Sequence, residues 1–188
     1  MAMESSFKNM VIVLSIICLI CSTLLAAVFA LTKEPIAKAE QDKLANSIAL
    51  VVPEFEEAPV EKTIKVADVD YKYFEVSAQG NVVAYAIEVA GSGFSGQIKL
   101  MVGIGVDGII FNTSVLSQTE TPGLGAKCIE PFFADQFKNF NPKEKKLDVT
   151  KDGGSIDAIT ASTITSRAYT NVVKTALNVY TEIIKEAK

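Results

Sequence analysis

The sequence predicts an α+β domain, an antiparallel or mixed sheet with flanking helices, preceded by one N-terminal transmembrane helix. Three observations predict it: an uncharged apolar run near the N-terminus, two alternating strand pairs broken by Gly-containing turns, and a long amphipathic stripe at the C-terminus. A chain of 188 residues has room for one domain beside the membrane segment, because single domains usually run to about 100 to 200 residues. The expected organisation is a short cytoplasmic head at 1–9, a transmembrane helix at 10–31 and an extracytoplasmic domain at 32–188.

The run MVIVLSIICLICSTLLAAVFAL from Met10 to Leu31 holds no charge. About 22 residues at roughly 1.5 Å each make a helix of about 33 Å, enough to cross a bilayer core and long for a signal-peptide core. Val28-Phe29-Ala30 also resembles a small-residue cleavage site, so a cleaved signal is the alternative. Lys8 and the N-terminal amine precede the span, offset in part by Glu4, and Lys33 and Lys38 follow it. So short a head goes with the commoner orientation, N-terminus inside. No intramembrane Asp, Glu, Lys or Arg offers an ion path.

Pro35 opens a segment in which Ile36, Ala37, Leu44, Ile48 and Val51 recur near helical spacing, a helix leading away from the membrane. From Tyr71 onward, YFEVSAQGNVVAYAIEVA alternates around Gly80-Asn81 as a hairpin does. A second pair, IKLMVGIGV and IIFNTSVL, flanks Asp107-Gly108, giving four short antiparallel strands. After a Gly, Pro and Thr-rich loop, IEPFFADQFKNF reads as an amphipathic helix burying Phe132, Phe133 and Phe137. LDVTK is a further strand candidate. The last helix spans about Ser162 to Ala187, with Val172, Val173, Ala176, Leu177, Tyr180, Ile183 and Ile184 turned inward.

Composition excludes much chemistry. The chain has no histidine, so it offers no Ser-His-Asp triad, His zinc ligand or His-bound haem. Its three cysteines, Cys18 and Cys21 in the apolar run and Cys128 alone, are too few for an iron-sulfur cluster and read as free thiols. A net charge of -4 without a cluster of basic residues argues against nucleic acid. No general acid and base pair marks a substrate site, and no catalysis is expected of the isolated chain.

Gly91-Ser92-Gly93-Phe94-Ser95-Gly96 matches the dinucleotide fingerprint G-x-G-x-x-G, but that fingerprint opens a helix and here a strand-like QIKLMVGIGV follows. A turn between strands is the better reading. The tract from Asp157 to Arg167 bears five hydroxyls at the start of the last helix, where Ser or Thr can cap the helix and free amides attract a phosphate. On physical grounds alone, plain N-capping is the commoner use.

The wording of that tract resembles the flavinylation motif of the family formed by the Rnf G subunits and Nqr C subunits, an Asp followed by S-G-A-T and a later hydroxyl. Asp157 matches the acid, Thr160 the Ser/Thr, Thr163 the acceptor and Thr165 the later hydroxyl, while Ala161 replaces Gly and Ser162 replaces Ala. Glu120-Thr121-Pro122-Gly123-Leu124-Gly125 matches the family's E-T-P-G-L-G loop, and Gly93 to Ile98 is similar to its G-Y-x-G-P-I turn. The wording is closer to the Rnf member of the family.

The resemblance implies FMN joined covalently to Thr163 by a phosphodiester, placed there by a flavin transferase. It also implies a site formed by Glu120, Thr121, Gly123, Leu124 and Gly125 together with Thr160, Ala161, Ser162, Ile164 and Thr165, in which Leu124 offers an apolar contact and Glu120 and Thr121 polar ones. The implied role is an electron-transfer subunit of a membrane complex coupling ferredoxin and NAD oxidoreduction to Na+ or H+ transport, with its domain on the periplasmic side of the bacterial inner membrane. Alternatives are the Nqr-type C subunit of a Na+-translocating NADH:quinone reductase, a membrane-anchored flavin-binding sensory domain, or an assembly protein whose site has decayed through Ala161 and Ser162.

Overall fold

A computed structural model of the chain describes residues 7–55 and 57–186. The chain divides into two units, Met1–Lys43 and Leu44–Lys188. Helix α1 spans Phe7–Val51, strands β1 to β5 span Val60–Val66, Val69–Ala78, Asn81–Ser92, Gln97–Gly105 and Ile110–Gln118, a single turn α2 spans Pro131–Ala134, and α3 spans Thr163–Glu186. The arrangement is α+β, as the sequence predicts. Residues 1–6 of the expected head and Ala187 of the last helix lie outside the described residues, and residues 7–9 already belong to α1.

One helix replaces the two expected on either side of Pro35, which sits inside α1. Proline withholds one amide from the helical ladder. The flanking residues continue the helix around that single loss. The apolar side chains from Met10 to Leu31 are exposed, and the hydroxyls of Thr23 and Thr32 donate to the carbonyls of Leu19 and Val28 at 2.7 and 2.9 Å. A segment so apolar outside, with its polar groups satisfied internally, suits a bilayer.

The sheet is fully antiparallel in the order β1-β2-β3-β4-β5. Strand β1, absent from the sequence expectations, pairs with β2 through Val66↔Val69 across a turn at Ala67 and Asp68. Both turn residues have positive φ, 48° and 65°, without the glycine that usually announces such a turn. The next hairpin turns on Gln79 and Gly80 rather than Gly80 and Asn81, because Asn81 already pairs with Ala78. Ser92 pairs with Gln97 and Gly93 N donates to Gly96 O at 2.7 Å. The G-x-G-x-x-G stretch is therefore a strand turn.

Alternation along β3 and β4 sends Ile87, Val89, Leu100, Val102 and Ile104 to one face and Ala84, Ala86 and Met101 to the other. The first face packs on α3 through Tyr169, Val172, Val173, Ala176, Val179 and Ile183. The second is covered by the end of α1, where Ile48 and Val51 are buried against Phe74, Val76 and Met101, each contributing about 2 kcal/mol by transfer from water. Asn112 Nδ2 donates to the Leu50 carbonyl at 3.0 Å, satisfying one acceptor the helix end leaves open. Gly103 makes this approach possible: a Cβ there would lie 1.7 Å from the Val51 carbonyl oxygen.

Three expectations fail locally. Residues 129–140 form the end of a 3-10 turn at Gly125–Ile129, then α2 and a 3-10 turn at Asp135–Phe137, instead of one helix. Phe133 and Phe137 are buried, with ring centroids 5.2 and 5.0 Å from Tyr169, but Phe132 is exposed. Pairing of Phe140 with Ile110 by bonds of 3.0 and 2.9 Å, through a left-handed Asn139, draws the chain to the edge of β5 and prevents further helix. LDVTK is a loop with one isolated bridge, Val149↔Ile156, closed by a 3-10 turn at Thr150–Asp152.

Gly103→Ala is expected to lower stability by about 3 kcal/mol, since the added methyl meets backbone rather than a movable side chain. Thermal melting of the two chains measures it, and equal melting temperatures would contradict this seating of the α1 end.

Candidate functional site

The site is built where the turn between β3 and β4, the loop after β5 and the start of α3 meet. Glu120 joins all three. Its side chain is 5% exposed; Oε1 accepts from the amides of Phe94 at 2.7 Å and Ser95 at 3.2 Å, and Oε2 accepts from the Thr165 hydroxyl at 2.8 Å. A buried carboxylate is costly unless donors surround it. Gly93 and Gly125 leave room for them, because a Cβ at either would lie 2.1 or 2.3 Å from a carboxylate oxygen. Outside this knot, Ser95 and Thr121 share a hydroxyl bond of 2.8 Å, and Thr121 O accepts from the amides of Leu124 and Ala126, closing the loop.

The start of α3 is fixed as firmly. Ser166 Oγ donates to Ser162 O and accepts from Ile159 N, both at 2.9 Å. The bond from Ser166 N to Ser162 O opens the helical ladder, so the amides of Thr163, Ile164 and Thr165 precede it, the arrangement that favours an anion. Ala161, just before, has φ 61°. That is the left-handed conformation in which glycine is at ease, and it gives a backbone reason for the glycine of the motif this tract resembles.

Between these walls lies a cleft of about 360 Å³ lined by Phe94, Glu120, Thr121, Leu124, Gly125 and residues 161–165. Thr163 is half-buried at its edge as the first residue of α3. Phe94, Leu124 and Ile164 are 66%, 43% and 54% exposed. Such apolar exposure around one concavity is what a planar aromatic ligand would cover.

Nine of the eleven residues expected to form the site line the cleft; Gly123 and Thr160 do not. Gly123, with φ 76°, shapes the turn before Leu124. Glu120 lines the cleft and, with both oxygens engaged by protein donors, also holds its walls together. Phe94 was missed, although an aromatic residue inside a Gly-rich turn has no core to enter and could have signalled it. Asp157 is exposed; its amide donates to Gln136 Oε1 at 2.6 Å. Burial pushes the Cys128 thiol up to about 11, a protonated core group rather than a nucleophile. Among the described residues no cluster of Cys, Asp and Glu could hold a metal.

The family model described as FMN-binding domain matches residues 93–178, and the one described as RnfG N-terminal region matches residues 1–51. The G subunit of the ion-translocating oxidoreductase complex of Shewanella piezotolerans is 35% identical over 96% of this chain and 92% of its own length. The G subunit of the proton-translocating ferredoxin:NAD(+) oxidoreductase complex of Clostridium ljungdahlii is 36% identical over 87% of this chain and 86% of its own. Among solved structures, the C subunit of the Na(+)-translocating NADH-quinone reductase of Parabacteroides distasonis aligns with a TM-score of 0.47 and 26% identity, over 60% of this chain and 61% of that one.

Glu120→Ala should destabilise the chain by about 3 kcal/mol or more, as it strands three donors in a buried knot; chemical denaturation would reveal it. Ala161→Gly acts in the opposite direction, by about 0.5 to 1 kcal/mol, because relief of the left-handed strain exceeds the added freedom of the unfolded chain. The same denaturation series tests it, and a loss of stability would contradict the left-handed assignment.

Proposed function

The chain belongs to the family of G subunits of ion-translocating oxidoreductase complexes, and from this premise we propose that it relays electrons within such a complex through FMN esterified to Thr163. The single observation that carries the attachment is the place of Thr163. Thr163 lines an apolar-walled cleft and is the first residue of α3, ahead of the bond from Ser166 N to Ser162 O that opens the helical ladder. A phosphate ester there meets helix amides and the positive end of the helix dipole.

The residues present fit the group. Leu124, Phe94 and Ile164 would supply apolar cover, Thr121, whose hydroxyl shares a bond with that of Ser95, would serve polar ring atoms, and Gly125 would let the backbone approach closely. When bound, FMN would supply the redox chemistry of accepting and passing on electrons. The chain fixes its position and keeps water from one side of it. Attachment through the phosphate leaves the ring unmodified and prevents loss of the carrier.

The apolar part of α1 is a single-pass anchor to the membrane of the complex, and the other proteins of that complex are the partners of the chain. We place residues 32–188 on the periplasmic side of a bacterial inner membrane, and assign the modification to a flavin transferase acting there. Electron transfer between ferredoxin and NAD, coupled to Na+ or H+ movement, is the host reaction this reading implies. The match of residues 1–51 to the RnfG N-terminal region favours that host over an Nqr-type complex.

Full-length chain co-expressed with a flavin transferase should gain the mass of one FMN less water on the peptide containing Thr163, and Thr163→Val should lose that gain and the yellow colour. Intact and peptide mass spectrometry read both. A wild-type chain of unaltered mass would defeat the reading.

A further inference from the structure

The loop from Lys146 to Ile156 runs along one side of α3 and reaches it at three places. Asp148 pairs with Lys174, Asp152 grips Arg167 through two bonds of 2.7 Å, and Lys151 Nζ donates to Thr163 Oγ1 at 3.0 Å. Positions 163, 167 and 174 are spaced by four and seven, so they share a helix face. Hydrogen bonds from Lys174 and Arg167 hold the carboxyls of Asp148 and Asp152 below their ordinary value of 3.8. Both clamps are thus in place near neutral pH.

These clamps also use up the loop's acids. Lys146 adds a contact of 3.5 Å to Asp148 and one of 3.3 Å to the Asp152 carbonyl. Among the described residues no carboxylate lies within ion-pair distance of Lys151; its polar contact is the Thr163 hydroxyl. A cation held beside a hydroxyl, with its neighbouring acids engaged elsewhere, is an arrangement that an anion completes.

We propose that Lys151 is the counter-charge of the phosphodiester at Thr163, its ammonium passing from the hydroxyl to a nonbridging phosphate oxygen once the ester exists. The inference rests on Thr163 being the acceptor. In the transfer, Thr163 Oγ1 bonds to the flavin-bearing phosphorus of a flavin dinucleotide and the phosphoanhydride bond breaks. AMP leaves with the bonding pair, and the hydroxyl proton passes to a base of the transferase. Charge gathers on the oxygens of the transferred phosphate, where Lys151 and the first amides of α3 lie together. Lys151 is therefore a positioning residue for both the incoming phosphate and the finished ester.

The test uses the purified full-length chain, a flavin transferase and flavin adenine dinucleotide, with initial rates of attachment read by intact mass. Thr163→Val is the blank, and melting temperatures establish that each variant is folded. Lys151→Met should slow attachment about tenfold, Lys151→Arg should restore roughly half of the loss, and Lys151→Glu should be slower than Lys151→Met. Added NaCl should slow the wild type but leave Lys151→Met nearly unchanged. Lys151→Met modified at the wild-type rate would overturn the proposal while leaving Thr163 as acceptor. Slow attachment that Arg does not restore, with salt dependence unaltered, would also overturn it, because that pattern reports packing. No modification of the wild type itself would remove the acceptor reading, and this inference with it.

Discussion

The site depends on one buried carboxylate. Glu120 lies after β5, yet its two oxygens hold the β3–β4 turn on one side and the first turn of α3 on the other. Taken from water alone, such a group would cost several kcal/mol; surrounded by three donors it becomes a specific bolt, because no other side chain accepts at both ends over that span. The cleft is the space this bolt leaves between the walls it joins.

The second constraint is the doubly covered sheet. Antiparallel sheets can leave one face to water, but here α3 covers one face and the last residues of α1 the other. That explains why β3 and β4 hold nearly continuous buried runs rather than strict apolar-polar alternation. It also explains the glycine at 103, where a helix end meets the strand backbone with no side chain between them. The α1 end is therefore a part of the core of the unit Leu44–Lys188.

Short-range patterns are legible in the sequence. The uncharged run, the second hairpin's Asp107-Gly108, the α3 stripe and the strand-like residues after Gly96 each have a local cause, a period or a turn dipeptide, and each stands in the structure. Sequence and structure part where a distant partner outweighs the local signal. Phe140 is pulled to Ile110, ending what looks like a helix. The β1–β2 turn uses Ala67 and Asp68 at positive φ, held by the ladder on both sides rather than by glycine.

By itself, then, the sequence determined the α+β class, the apolar anchor, the absence of imidazole chemistry and the two blocks on which the family resemblance rests, because period, composition and motif wording are properties of neighbouring residues. Only the tertiary structure decided what those blocks do for each other. It turned Glu120 inward as a bolt, added Phe94 to the cleft, left Gly123 and Thr160 outside it, and brought Lys151 to Thr163 across twelve positions of chain. The physical reason is that a side chain's partners depend on packing and hydrogen-bond satisfaction across the whole domain, which no local pattern of residues encodes.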